Sequence, residues 1–166
     1  MPVYVLDTNT FIQAHRATYP LDVATSFWER IKQLAEEGKI ISIDKVKDEI
    51  DENEDDLKFW TETNLPGDFF KSTAGQAILN EYGLMAPWAE SKASHYQRGA
   101  IDEFLDFYTA DAWLVAYCKS TGCTLVTQEV SNPHQKNRIP IPEPCNAFNV
   151  SYCNMIEMFR RLGVRF

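Results

Sequence analysis

The sequence predicts an α/β protein with a central parallel sheet and helices packed against it. Two observations carry this. Short β-prone runs at residues 3–6 (VYVL), 40–43 (IISI) and 124–127 (TLVT) are separated by stretches with helical periodicity. The runs also lack the apolar/polar alternation of a half-exposed strand, as suits strands covered on both faces. Strand–helix–strand order needs crossovers, and a parallel sheet is the architecture that uses them.

Each element follows from local chemistry. Asp7-Thr8-Asn9-Thr10 ends the first strand with four residues that favour turns and helix N-caps, so a helix is expected from about Phe11. Phe27, Ile31, Leu34 and Ala35 fall on one face of a second helix, and Gly38 supplies its stop. Residues 40–43 form the second strand, after which Asp44 is placed to cap a third helix whose Val46 and Ile50 share a face. From about Asp55 to Phe107 the propensity is helical, with breaks at Pro66-Gly67 and near Ala86-Pro87 and no convincing strand. This stretch reads as a helical insert within one domain spanning residues 1–166. Thr109 can cap a strong helix to about Ser120, closed by Gly122, and the third strand follows at 124–127. Pro133, Pro140, Pro142 and Pro144 mark a loop-rich stretch before a short strand near 150–152 and a last helix at about 154–162. There is no internal repeat.

Composition narrows the class. With 166 residues, 45% of them apolar, the chain can bury a substantial core and is not disordered. The longest unbroken apolar run, residues 112–118, is far short of the roughly 20 residues a membrane helix needs, so no membrane association is expected. The opening MPVYVLDTN lacks the basic and apolar regions of a secretory signal, which predicts a cytoplasmic protein. Cys118, Cys123, Cys145 and Cys153 form no CxxC pair, and His15, His95 and His134 are not spaced to complete a zinc site. These cysteines read as reduced thiols, with Cys118 in the core. The net charge of −8 is concentrated: residues 48–56 (DEIDENEDD) carry seven acids and no base, so the rest of the chain sums to −1. A nearly neutral body can still offer a basic path to a phosphate backbone.

The informative feature is where acids fall relative to these elements. Asp7 follows the first strand directly, on the side where parallel sheets open their ligand crevice. Glu129 stands two residues beyond the third strand, at the same edge. Asp111, in the first turn of its helix, shares a face with Leu114, Val115 and Cys118, and Glu49 lies beside Ile50, close to the core-facing side of its helix. Taken singly, Asp7 reads as a helix cap, Asp111 as a complement to the helix dipole, Glu49 as a solvated charge, and Glu129 as an unremarked loop acid. Together they form a set that cannot stay ionised in one pocket without a cation. Oxygen ligands of this kind suit Mg²⁺ or Mn²⁺ better than zinc. Such a centre activates water for in-line attack on a phosphodiester. Asn9 and Thr127 are placed to hold a water or orient a carboxylate.

These residues resemble the PIN-domain ribonucleases. The resemblance rests on YVLDTN at 4–9, KDEI at 47–50, ADAWLVAYC at 110–118 and TLVTQE at 124–129. The closing IPIPEPCNAF and RLGVRF look like a small uncharacterised bacterial and archaeal branch of that superfamily. The likeness covers both flanks of the chain and not the insert. It implies a Rossmann-like three-layer α/β/α fold and Mg²⁺- or Mn²⁺-dependent endoribonuclease activity leaving 5′-phosphate and 3′-hydroxyl ends. The implied metal ligands are Asp7, Glu49, Asp111 and Glu129, although the fourth position is more often Asp in that family. Many relatives are toxins of toxin–antitoxin pairs, which implies an antitoxin partner and a homodimer; others process RNA.

Substrate contacts are expected in SNPHQKNR (131–138), where His134, Lys136 and Arg138 could hold phosphates; an exposed polar loop reads equally well. His95 and Arg98 have the same status. The insert's Trp60, Phe69, Phe70 and Trp88 could stack bases or seat an antitoxin helix, though most are expected in the core. Three other functions compete with a ribonuclease: a non-catalytic protein- or RNA-binding module, a structure-specific DNA nuclease, and a haloacid-dehalogenase-type phosphatase. The last needs a second Asp where Asn9 stands.

Overall fold

A computed structural model describes residues 2–53 and 55–166. The chain begins with β1 (Tyr4–Leu6), then α1 (Thr8–Gln13), which runs into a single π-helical stretch (Ala14–Thr18). Next come α2 (Thr25–Glu36), β2 (Ile40–Ile43) and α3 (Asp44–Asp51). The insert holds α4 (Asp56–Asn64), β3 (Phe70–Lys71), α5 (Gln76–Glu90) and α6 (Arg98–Phe104). The chain closes with α7 (Asp111–Thr121), β4 (Thr124–Val126), α8 (Pro142–Ala147), β5 (Tyr152–Cys153) and α9 (Met155–Leu162).

Among the described residues, five strands form a sheet in the order β3-β2-β1-β4-β5, and each neighbouring pair is parallel. Tyr4 faces Ile40 on one side and Thr124 on the other, so β1 is the central strand. Every residue of β1, β2 and β4 is buried, which is why these runs do not alternate. Ser42 is the polar exception inside a run, and its hydroxyl donates to the Leu6 carbonyl at 2.6 Å, tying β2 to β1. The chain goes from β1 to β2 on one side and later to β4 on the other. The crevice at this reversal opens beyond the carboxyl end of β1, where Asp7 stands.

Several elements differ from the sequence reading. The first helix starts at Thr8 and not near Phe11, because Asp7 caps it directly: its Oδ1 accepts from Thr10 N at 2.7 Å. Asp44 lies inside α3 and reaches Thr73, accepting from its backbone N at 3.1 Å and its hydroxyl at 2.9 Å. The insert is not wholly helical. Phe70 and Lys71 pair with Ser42 and Ile43, so the insert supplies the sheet's edge strand, too short to show any periodicity. Pro87 does not break α5 but lies within its last turn, where it removes the bond to the Gly83 carbonyl and the helix runs only to Glu90. In the proline-rich stretch, Pro142 opens α8, since proline is pre-set for a first helical turn. Thr109 caps no helix. Its hydroxyl turns back to the carbonyls of Glu103 and Asp106, at 3.2 and 2.9 Å.

The helix that carries Asp111 is held rigidly. All residues from Ala112 to Cys118 are buried, and Trp113 stacks on Tyr82 of α5 with ring centroids 3.7 Å apart. Trp113 Nε1 donates to the Phe107 carbonyl at 3.0 Å, fixing the loop that leads into α7. Gly122, at φ +76°, ends the helix in the left-handed region. Trp60, Phe69, Phe70 and Trp88 all pack in or against the core, so they are not the exposed stacking surface considered above. The four cysteines are free thiols, three of them buried. Trp113→Ala should cost about 3–5 kcal/mol of stability, read from the midpoint of denaturant unfolding.

Candidate active site

A cavity of about 100 Å³ lies at the carboxyl edge of the sheet. Asp7, Glu49 and Asp111 line it, together with Thr8, Asn9, Thr109, Arg138 and a wall from α6 that includes Glu103. Asp7 arrives from the end of β1, Glu49 from the last turn of α3 and Asp111 from the first turn of α7.

Each acid is held by local chemistry. Asp7 is 4% exposed and accepts from both the backbone N and the hydroxyl of Thr10, at 2.7 and 2.5 Å. Burial raises its pKa; the Thr10 and Thr127 hydroxyls oppose that rise, and Glu129 adds to it. Glu49 Oε1 accepts from Ala110 N at 2.7 Å, so an acid 61 residues away in sequence satisfies a donor at the start of α7. Its pKa is raised, first by burial. Asp111 is strongly perturbed. Its carboxyl is pushed up to about 7, first by burial and then by Glu129, against the pull of Arg138, with Asp7 and Glu49 adding to the rise. About a third of its side chain still meets solvent, so a solute can reach it.

Glu129 is near enough to raise the pKa of both aspartates, but its own oxygens are engaged. Oε1 pairs with Arg138 Nη1, and Oε2 accepts from Ile141 N at 2.7 Å. The second amino group of Arg138, Nη2, reaches Asp111 Oδ2 at 3.3 Å. One guanidinium therefore bridges two of the four predicted acids. Thr127 lies beneath Asp7, and its hydroxyl accepts from Glu129 N at 3.1 Å.

His134 and Lys136 are exposed and outside this cavity. Arg98 is committed to Glu90, at 2.7 and 2.8 Å, and to Asp102 at 2.9 Å. His95 Nε2 lies 2.9 Å from the Gln135 carbonyl. Cys145, buried below the site, has its thiol pushed up to about 12 by burial and then by Asp111, Asp7 and Glu129, which keeps it protonated and non-nucleophilic.

A family profile described as "Domain of unknown function (DUF4411)" matches residues 4–166. The chain belongs to the DUF4411 family. No curated protein matches. Among solved structures, the DUF4411 chain is similar to a chain of VapBC2 from Rickettsia felis, described as bound to a DNA fragment from their promoter. Identity is 16% and the TM-score 0.55, over 92% of this chain and 98% of that one. At that identity the likeness is one of fold: a mixed α/β architecture with a helix-flanked central parallel sheet.

Among the described residues no group of three or more His, Cys, Asp or Glu meets metal-holding geometry. The donor chemistry of Asp7, Glu49 and Asp111 nevertheless suits a hard cation, since all are oxygen donors whose negative charge is costly where they stand. The Thr8 hydroxyl, which also lines the cavity, is buried with no partner within ordinary hydrogen-bond geometry, though it still lowers the Glu49 pKa slightly.

Sequence reasoning missed one acid lining the DUF4411 site and one exposed aromatic pair outside its lining. Glu103 follows Ala100 at helical spacing, but nothing in that pattern says the face turns toward these acids. Phe107 and Tyr108 are 51% and 77% exposed on the loop entering α7, with Lys45 Nζ 4.5 Å from the Phe107 ring centroid. Two adjacent aromatics just before a turn carried a weak signal that could have been used.

The raised pKa of Asp111 has a thermodynamic consequence. The folded protein binds that proton more tightly than the unfolded chain, so ionisation between the ordinary value of 3.8 and about 7 costs stability. The metal-free protein should therefore lose stability as pH rises across that window. Asp111→Asn should flatten the loss and raise the melting temperature at pH 7, measured by thermal scans at several pH values.

Proposed function

We propose that this protein is a metal-dependent endoribonuclease whose Mg²⁺ or Mn²⁺ is held by Asp7, Glu49 and Asp111. The observation that carries this reading is the convergence of three acids from distant segments on one solvent-reachable cavity, each with its charged form destabilised. Asp7 and Glu49 have no basic side-chain partner among the described residues and Asp111 stays raised despite Arg138, so ionisation is unfavourable at all three, which favours a functional role. A bound divalent cation would supply an activated water and stabilise the charge that builds on phosphorus.

The chain's own residues would do the rest. Asp7 stays fixed through Thr10 and Thr127, and Glu49 through the Ala110 amide. Asn9, exposed at the cavity wall, is suited to orient a water. Arg138 faces the cavity and is suited to a phosphate oxygen, while His134 and Lys136, farther along the same exposed loop, could follow the backbone. Tyr108, exposed and next in sequence to the cavity-lining Thr109, offers a face on which a base could stack, whereas the Phe107 ring already carries Lys45.

A toxin role with an antitoxin partner and a homodimer rests on the resemblance of the four sequence blocks to PIN-domain ribonucleases, and the fold likeness to VapBC2 is in keeping with it. A second reading, a non-catalytic binding module, is favoured by one observation: Arg138 already neutralises part of the acid cluster.

Cleavage of single-stranded RNA oligomers with Mn²⁺, set against matched DNA oligomers, tests the main reading. RNA should be cut and DNA spared; the reverse would make it a DNA nuclease. Asp7→Asn and Asp111→Asn should each lower the rate at least about 100-fold while keeping the fold, since Asn can still cap α1. Full activity in either variant would refute the site, and no cleavage with unchanged partner binding would favour the module. Tyr108→Ala should raise KM about tenfold and leave kcat nearly unchanged, as expected for the loss of one stacked base.

A further inference from the structure

The acid cluster contains its own cation, and the way that cation is held is unequal. Arg138 is anchored to Glu129 through Nη1, where the carboxylate is 15% exposed and its other oxygen is fixed by the Ile141 amide. Its contact with Asp111 is longer, 3.3 Å, and both side chains there are about a third exposed. The loop carrying Arg138 is pinned after it by the Ile141 amide on Glu129 and before it by three further bonds. Ser131 Oγ and Asn132 N both donate to Glu143 at 2.7 Å, and Gln97 N donates to the Lys136 carbonyl at 2.9 Å. The backbone is thus fixed, and the freedom left to the guanidinium is to pivot about Glu129 and release Asp111.

A guanidinium has a planar fork that matches a phosphate at least as well as a carboxylate. A phosphodiester entering this cavity would therefore compete with Asp111 for Nη2. Until it does, Asp111 is shared with Arg138 and is a poorer ligand for any other cation.

We propose that Arg138 is a built-in counter-cation that occupies Asp111 in the resting protein and releases it when a substrate phosphate takes the guanidinium. Glu129 is then the anchor that positions Arg138 and not a metal ligand, which departs from the four-ligand set expected from the sequence. Because coupling between two sites is reciprocal, phosphate and divalent metal must each strengthen the other's binding. The inference rests on the metal site proposed above.

The test is calorimetric titration of the full chain with Mn²⁺, alone and with uridine 5′-monophosphate, which carries a phosphate but no scissile bond. Wild type should bind Mn²⁺ at least threefold tighter with the nucleotide present. Arg138→Gln should bind Mn²⁺ alone at least tenfold tighter than wild type and show no further gain with the nucleotide. Circular dichroism checks the variant's fold, and the wild-type comparison stands even if the variant does not fold. Wild-type binding that ignores the nucleotide, or a folded Arg138→Gln that binds no tighter, would overturn the counter-cation while leaving the metal site in place. No Mn²⁺ binding by wild type or variant, with or without nucleotide, would bring down the metal site itself and the counter-cation with it.

Discussion

Burial of carboxylates beside one another at the carboxyl edge of the sheet is the constraint around which the rest of this site is arranged. Asp7, Glu49, Asp111 and Glu129 come from four separate segments, and folding buries the first three and brings neighbouring charges close enough to add to the rise in their pKa. Nothing about packing requires acids there, and burial makes each one costly. The protein meets that cost with a few oriented donors: the Thr10 amide and hydroxyl on Asp7, the Ala110 amide on Glu49, and the Arg138 fork across Glu129 and Asp111.

These donors are reliable because the scaffold beneath them is rigid. The interior strands are buried along their whole length, and the Asp111 helix is locked by the Tyr82–Trp113 stack and the Trp113–Phe107 hydrogen bond. The insert has a structural part as well as a boundary part. It lends the sheet an edge strand through Phe70 and Lys71 and closes the cavity with α6. That second contribution adds Glu103, a further acid, to the wall.

Arg138 changes how the cluster should be understood. With it, the site is neither an open nest of carboxylates nor a neutral ion-pair network. Asp7 and Glu49 lack a basic side-chain partner among the described residues, whereas Asp111 and Glu129 share one. The division separates an acid pair facing the cavity from an acid that mainly anchors an arginine. The same arginine can stabilise the resting protein and still offer a fork to an incoming phosphate.

By itself the sequence determined the parallel sheet, its three interior strands and the placing of Asp7, Glu49 and Asp111 at one edge. Those features are written in short-range patterns: apolar runs, i to i+4 spacing, and acids standing next to element ends. Elements two residues long, such as β3, leave no period to read, and Pro87 looks like a break until the helix end around it is seen. The partners of Glu129 were hidden for a different reason. Arg138 and Ile141 lie 9 and 12 residues away across a loop with no regular structure, so whether they fold back on that carboxylate depends on how the loop is pinned to Gln97 and Glu143. Hydrogen bonds between distant segments decide that, and they exist only once the tertiary fold has formed.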